Sequence, residues 1–347
     1  MVTVDGAQVR ALAYPALVGS PRVGDWVLLN VNALERGLGT GGYAFVVAIP
    51  DRLPEDPPAE ALPHAGAQQL AQTGHVMKCR YVPLQAMVAS VEEQGSPYHE
   101  VLREAESVDG MPVVVADLHS ALPAILAGLF AARPGLQAVY VMQDGGALPA
   151  WFSRTVAGLR AAGWLAATVT TGQSFGGDLE AVTVHTGLLA ARHAAGADVA
   201  VVAQGPGNLG TGTRWGFSGV AAGEAVNAAA VLGGRPVASL RLSSADSRSR
   251  HQGVSHHSLT AYGRVALAAC DVVVPELAEP LASRVAADTA ALAARHRLVT
   301  VPVAGLEAAL RSCPVPLSTM GRGLDDDPAY FLAAAAAGRH AASLLAG

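Results

Sequence analysis

Lysine is almost missing from this 347-residue chain: Lys78 is the only one, against 22 arginines. A Schiff-base enzyme would have to use that residue, and a Walker-type phosphate loop would lack its lysine, so both chemistries are disfavoured and PLP with them. Cysteine is scarce too. Cys79, Cys270 and Cys313 are odd in number, far apart and without a CxxC pair, which argues against a disulfide framework or a cysteine zinc knuckle. Charged residues make up only 15%, and a net charge of -5 leaves no broad basic face for nucleic acid. The N-terminal Met-Val-Thr-Val-Asp-Gly has no basic stretch leading into an apolar one, so no signal peptide is expected. No apolar run approaches the ~20 residues of a membrane span. The expected compartment is the cytoplasm.

What is present is alanine and valine: 51% of the residues are hydrophobic, enough for two domains with proper cores. Residues 1–95 read as a small antiparallel, barrel-like β domain. Expected strands are 8–14, 26–31, 43–48, 75–81 and 85–91, with four glycines between Gly37 and Gly42 and a proline-rich loop at about 50–72. Ser96-Pro97 resembles a helix start, with the helix running to about Glu106.

From Met111 the pattern alternates between strand and helix, which predicts a doubly wound, mainly parallel α/β domain over 96–347. Strands are expected at 112–116, 138–142, 166–170, 198–203, 236–240, 271–274 and 298–301. Helices are expected at 122–132, 152–162 and 179–194, with a last one after Asp325-Asp-Asp-Pro328. In such a sheet the loops at the carboxyl ends of the strands converge on one crevice, where ligands bind.

Two of these loops are the richest in polar residues. Gln204-Gly-Pro-Gly-Asn-Leu-Gly-Thr-Gly-Thr213 follows a strand and offers the backbone amides of Gly205, Gly207 and Gly210, with Asn208, Thr211 and Thr213, to an anion. Its Gly-x-Gly-x-x-Gly spacing is a weak dinucleotide fingerprint. The glycines continue to Gly219, so the helix starts late, near Ser218, and the next strand ends in Arg241 rather than an acid. NAD is therefore disfavoured. The bland reading is a tight turn solving a packing problem.

The second loop carries Arg248, Arg250, His251, His256 and His257. Guanidinium forks suit carboxylates and phosphates, and imidazoles transfer protons near neutral pH. Ser255 is a candidate helix cap. Neighbours on a helix diverge by about 100°, so only one of His256 and His257 is expected to reach the site. The bland reading is a solvated loop with a capping serine. Asp117, His119 and Ser120 follow the first strand of the α/β part, Asp144 the second, and Ser174 and Asp178 the third. Strand-end aspartates ligate metals, position bases or cap helices, and Asp178 suits the last role. A divalent metal held by some of Asp117, His119, Asp144 and His256 is allowed, though no spacing within one element supports it.

Six motifs in order identify a resemblance. They are Gly37-Leu-Gly-Thr-Gly-Gly-Tyr43, Gly74-His-Val-Met-Lys-x-Arg-Tyr81, Leu118-His-Ser120, Phe175-Gly-Gly-Asp-Leu-Glu180, Gly205-Pro-Gly-x-x-Gly-Thr-Gly-Thr213 and Arg250-His-Gln-Gly-Val-Ser-His-His257. The chain resembles the bacterial family called domain of unknown function 3866 over nearly its whole length. The resemblance implies a two-part cytoplasmic protein and carries over no activity.

The residues point to an enzyme of hydrolase or transferase type acting on a small anionic, phosphorylated or carboxylate substrate. The 205–213 amides and Arg248 or Arg250 would hold it, with His119 and Ser174 at its edge. His251 or His256 would move protons, with Asp117 or Asp144 orienting them or holding a metal. The alternative is a metabolite- or nucleotide-sensing scaffold using the same pocket without turnover. A homodimer is the expectation on general grounds.

Overall fold

The protein is described here from a computed structural model, covering residues 1–37, 41–52, 74–82, 84–146 and 149–345. Chain contacts divide it into two compact units, Met1–Ala89 and Ser90–Gly347.

Among its described residues the first unit holds seven short strands: β1 (Val2–Val4), β2 (Ala7–Val9), β3 (Ala11–Leu12), β4 (Leu28–Asn30), β5 (Ala44–Ala48), β6 (Val76–Lys78) and β7 (Ala86–Val88). They form three separate small sheets, β1-β2, β3-β5-β4 and β6-β7. The expected barrel-like closure is not seen among the described residues, and β3 runs parallel to β5. Strands of two to five residues bury too little on one face to wrap a sheet into a barrel. The proline-rich loop lies almost wholly outside the described residues.

The second unit is an α/β fold. Its strands are β8 (Pro112–Val115), β9 (Ala138–Gln143), β10 (Ala167–Thr171), β11 (Leu179–Ala181), β12 (Val199–Gln204), β13 (Arg235–Ser239), β14 (Leu242–Ser243), β15 (Gly253–Val254), β16 (Asp271–Pro275) and β17 (Arg297–Val301). Eight of them make one parallel sheet in the order β11-β10-β9-β12-β8-β13-β16-β17. β14 and β15 pair antiparallel as a separate clasp. Every residue of β8, β9 and β12 is buried, as a sheet covered on both faces requires. Alternation then splits the side chains between two cores. Val113, Val115, Val139, Val141 and Val202 pack with the helices Val184–His193 and Ala221–Val231. Val114, Tyr140, Met142 and Val201 pack with Leu122–Ala132, Arg154–Ala161 and Pro328–Ser343.

Each of the seven strands expected from Met111 onward is present within one residue at either end. The expected helix at 179–194 is a correction: Leu179–Ala181 is the edge strand β11, and the helix begins only after Thr183, which caps it through Thr186 N–H at 3.2 Å. Asp178 caps nothing. Its carboxylate accepts from Thr168 N–H at 2.7 Å and Thr168 Oγ1 at 3.0 Å and pairs with Arg160. The helix expected from Ser96 is shorter, His99–Glu104.

The helix Pro328–Ser343 lies against Leu122–Ala132 by way of two glycines. A Cβ on Gly128 would stand 1.9 Å from the Ala335 carbonyl oxygen, and one on Gly338 1.9 Å from that of Ile125. Backbone touches backbone there, and the run Ala333–Ala337 keeps both helix and neighbours close. Alanine is the better helix former by about 1 kcal/mol, whereas overpacking costs about 1–3 kcal/mol. We therefore expect Gly338→Ala to lower stability by about 2 kcal/mol or more in denaturant unfolding. An unchanged or raised midpoint would mean the helices are not in backbone contact.

Candidate functional site

The winding direction reverses around β8. The chain passes from β8 to β9 and β10 on one side, returns through β12 and then builds β13, β16 and β17 on the other. The ends of β12, β8 and β13 therefore frame the topological switch point, where an open α/β sheet presents its crevice. Three buried residues mark those ends: Gln204 closes β12, Asp117 lies two residues past β8, and Arg241 two past β13.

Their arrangement follows from local structure. Gln204 donates to the Asp117 carbonyl at 2.6 Å and to Asn208 Oδ1 at 2.9 Å, which ties the β8 and β12 loops together. Gly219 and Gly146 permit the close approach. A Cβ on the first would meet the Asp117 carbonyl at 2.9 Å, and one on the second the Gly205 carbonyl at 2.5 Å. Past β13, Arg241 N–H donates to Ser258 Oγ and Ser255 N–H to the Arg241 carbonyl. The β14-β15 clasp then projects the loop between Ser244 and Gln252. Ser255 does cap the helix His256–Thr260, accepting from His257 N–H at 3.2 Å.

That cap brings three histidines together. His251, His256 and His257 each offer a ring nitrogen within 4.8 Å of the others, and ring centroids are 4.4–5.0 Å apart. The expectation that only one of His256 and His257 could reach the site is corrected. In the first helical turn the two imidazoles lean toward one another, and Phe217 stacks flat on His257 at 3.8 Å. Behind the cluster, His257 Nδ1 lies 3.0 Å from Arg241 Nη1 and 3.7 Å from Asp117 Oδ2, and His251 Nδ1 lies 2.7 Å from Ser255 Oγ. Burial lowers the His251 imidazole to about 3, helped by the positive Arg241 and Arg248. Burial, with His257 and Arg250 adding, lowers that of His256 to about 4. Both rings are neutral at pH 7. They are weak bases there, and their lone pairs are open to a hydrogen-bond donor or a metal ion.

Four buried side-chain atoms among the described residues have no hydrogen-bond partner. Three of them are here: Asp117 Oδ2, Gln204 Oε1 and His256 Nε2. His256 also faces a cleft of about 680 Å³ that Gly212, Arg214, Arg250, Arg264 and Asp288 help to line. Arg250 reaches back to the glycine loop, its Nη2 lying 3.9 Å from where a Gly212 Cβ would be.

Other residues singled out in the sequence have different employment. His119 is buried with both ring nitrogens engaged, by Tyr140 Oη at 3.0 Å and Ser153 Oγ at 2.7 Å. It belongs to the core, and burial lowers its imidazole to about 4. Ser174 is buried and donates to the Gln143 carbonyl, and Asp144 accepts from Gln173 N–H at 3.0 Å. Thr211 and Thr213 bond to each other and to the Gly216 backbone, closing the glycine loop on itself with a Gly210–Phe217 bridge. Gly205 and Gly207 lie at the base of that loop beside Asn208. Arg248 grips Asp246 with two hydrogen bonds of 2.9 and 2.8 Å, which occupies its fork. Sequence reasoning passed over Gln204, Arg241 and His257 as site residues. The first two had a usable signal, since each sits at the carboxyl end of a central strand.

A family model described as protein of unknown function (DUF3866) matches residues 10–338. The chain belongs to this family. No curated protein and no solved structure matches it. No helix among the described residues is long and apolar enough to cross a membrane.

Asp246 anchors the loop that carries Arg250 and His251. The Arg248 hydrogen bond holds its carboxyl well below the usual carboxylate range, with Arg248 and Arg322 charges adding to it. A depressed carboxyl contributes stability above its unfolded pKa of about 3.9, and that stability is lost as pH falls through the folded value. Asp246→Asn should cost about 3 kcal/mol at pH 7 in urea unfolding, and the gap to wild type should narrow below pH ~4. A gap that stays constant to the lowest folded pH would refute the charged role.

Proposed function

We propose that the crevice at the switch point is the active site of an enzyme acting on a small anionic substrate by hydrolase or transferase chemistry. The observation that carries this reading is that Asp117 Oδ2, Gln204 Oε1 and His256 Nε2 are buried without hydrogen-bond partners, the first two at the ends of the adjacent strands β8 and β12 and the third in the histidine cluster beside Asp117. An unmet buried polar atom costs about 1–3 kcal/mol, and folded proteins keep few of them. Three together are best explained by a ligand that satisfies them.

The cleft beside them gives that ligand its charge. Arg214, Arg250 and Arg264 line it, and none has a hydrogen-bond or ion-pair partner among the described residues. Asp288 is the one acid in the lining and is already engaged by Val254 N–H and Arg284. The volume suits a metabolite-sized molecule. In this reading Arg250 and Arg214 hold a phosphate or carboxylate at the mouth. His256 contributes its unpartnered Nε2 to the reacting end of the crevice, and Asp117 lies behind His257 across the back of the cluster.

A thermal-shift screen with inorganic phosphate, sugar phosphates, nucleotides and dicarboxylates tests it. An anion present at about 100 times its Kd should stabilise the protein by about 2.7 kcal/mol, and Arg250→Ala should weaken that binding about tenfold or more. With the anion in hand, His256→Ala should cut turnover by about 10²–10⁴ while affinity changes a few-fold. Altered affinity without any turnover in wild type would identify a sensor instead. A screen in which no anion binds, or one in which Arg250→Ala binds equally well, would sink the proposal.

A further inference from the structure

We propose that His251, His256 and His257 form a three-nitrogen site for a divalent first-row transition ion of zinc's class, with the remaining coordination position open toward the arginine-lined cleft. The inference deepens the reading of this crevice given above and rests on it for the open position, but it is carried by the histidines alone. Three imidazoles binding one ion at about 2.0–2.1 Å place their nitrogens roughly 3.3 Å apart. Here the ring nitrogens already lie within 4.8 Å of one another, so small side-chain rotations close the set.

The surroundings are those of a ligand cluster. His256 Nε2 is buried and has no partner. His251 is backed through Nδ1 by Ser255 Oγ, which leaves its Nε2 free to ligate. His257 Nδ1 accepts from Arg241 Nη1 and lies 3.7 Å from Asp117 Oδ2, itself unpartnered, so ligation through Nε2 requires Nδ1 to turn from the guanidinium and donate to that carboxylate. A small movement that closes the 3.7 Å between Nδ1 and Oδ2 gives the carboxylate–histidine pairing typical behind metal ligands. Phe217 fixes the plane of the His257 ring. Arg241 is the opposing feature, because a guanidinium beside an incoming dication raises the local charge. Asp117 lies 3.9 Å from it and offsets that charge. The residual excess is positive, which an anionic substrate or a metal-bound hydroxide would balance.

The donor set selects the metal. Imidazole nitrogens suit Zn²⁺, Co²⁺, Ni²⁺ and Fe²⁺, whereas Mg²⁺ and Ca²⁺ require oxygen ligands. An ion held by three histidines with one position open polarises a bound phosphoryl or carboxyl oxygen, or lowers the pKa of a bound water. This ligand set differs from the Asp117, His119, Asp144 and His256 group suggested by the sequence. Of those four only His256 ligates, because both nitrogens of His119 are taken and Asp144 is held by the Gln173 amide.

The test is a Co²⁺ titration of the chelator-stripped full-length chain with no anion added. We expect one equivalent to bind, with the intense visible bands of a four- or five-coordinate site, and Zn²⁺ to displace it. His251→Ala and His256→Ala should each lose the bands and weaken binding at least 100-fold, while His185→Ala, an exposed histidine, should bind as wild type does. Because removing His251 also deletes a hydrogen bond to Ser255, His256→Asn provides a second variant: its ring nitrogen has no partner to lose, so the fold should survive by circular dichroism while the bands disappear. Wild-type protein that takes up no stoichiometric Co²⁺, or folded His256→Asn that binds it undiminished, would overturn the metal site. Anion binding measured in the thermal-shift screen is independent of that outcome, so the metal can fail while the enzyme reading stands.

Discussion

The reversal of winding around β8 is the constraint on which the rest of the second unit depends. A parallel strand needs its crossover helix on one face or the other, and a sheet that grows from its middle in both directions sends neighbouring crossovers to opposite faces. At the reversal the loops leaving β12, β8 and β13 meet, and Gln204 ties the first two together through the Asp117 carbonyl. The crevice is thus a consequence of strand order, and it would exist with any side chains at its rim. What this sequence adds is the choice of Gln204, Asp117 and Arg241 at the three ends, with glycines at 146 and 219 where backbone must pass against backbone.

Elsewhere the same loops are tightly satisfied, which gives the exceptions their meaning. Tyr140 donates to the Gln204 carbonyl and Tyr262 to those of Val115 and Ser239, so strand-end acceptors are met by buried phenols. Asp327 gathers Ser243, Ser244 and Arg322, and Asp246 gathers Arg248 and Arg322. A fold able to satisfy these groups could satisfy Asp117 and His256 as well, by an exchange as small as one nearby serine. Three of the four unpartnered buried atoms among the described residues fall in this one place, and such clustering points to function there.

The sheet was legible because its signal is repetitive. Each central strand is a run of Val and Ala between turn residues, and two faces of burial allow no other reading of Pro112-Val-Val-Val115 or Val199–Ala203. Edge strand β11 was not legible, since Leu-Glu-Ala is three residues long and runs into a helix without a glycine. The first unit was harder still, because strands of two or three residues carry almost no periodicity. In the site, the pairing of the glycine loop with the Arg250–His257 segment followed from the strand-end rule. The roles of single residues did not. His119 and Arg248 have the same side chains as His256 and Arg250, and only the partners supplied by Tyr140, Ser153 and Asp246 set them apart.

The scarcity of lysine gains a meaning in this setting. Any anion held here is held by guanidinium, whose planar fork grips phosphate or carboxylate at two points and cannot be neutralised by burial. A lysine in place of Arg241, buried beside two imidazoles, would shed its proton more readily and leave Asp117 without a fixed countercharge. Arginine therefore allows a permanent positive charge to stand behind the histidine cluster, and the burial of Arg241 lets that charge act through little solvent. In the proposed reading Arg241 stands behind the histidines and Arg214, Arg250 and Arg264 stand at the mouth, so a bound anion would be held from two sides.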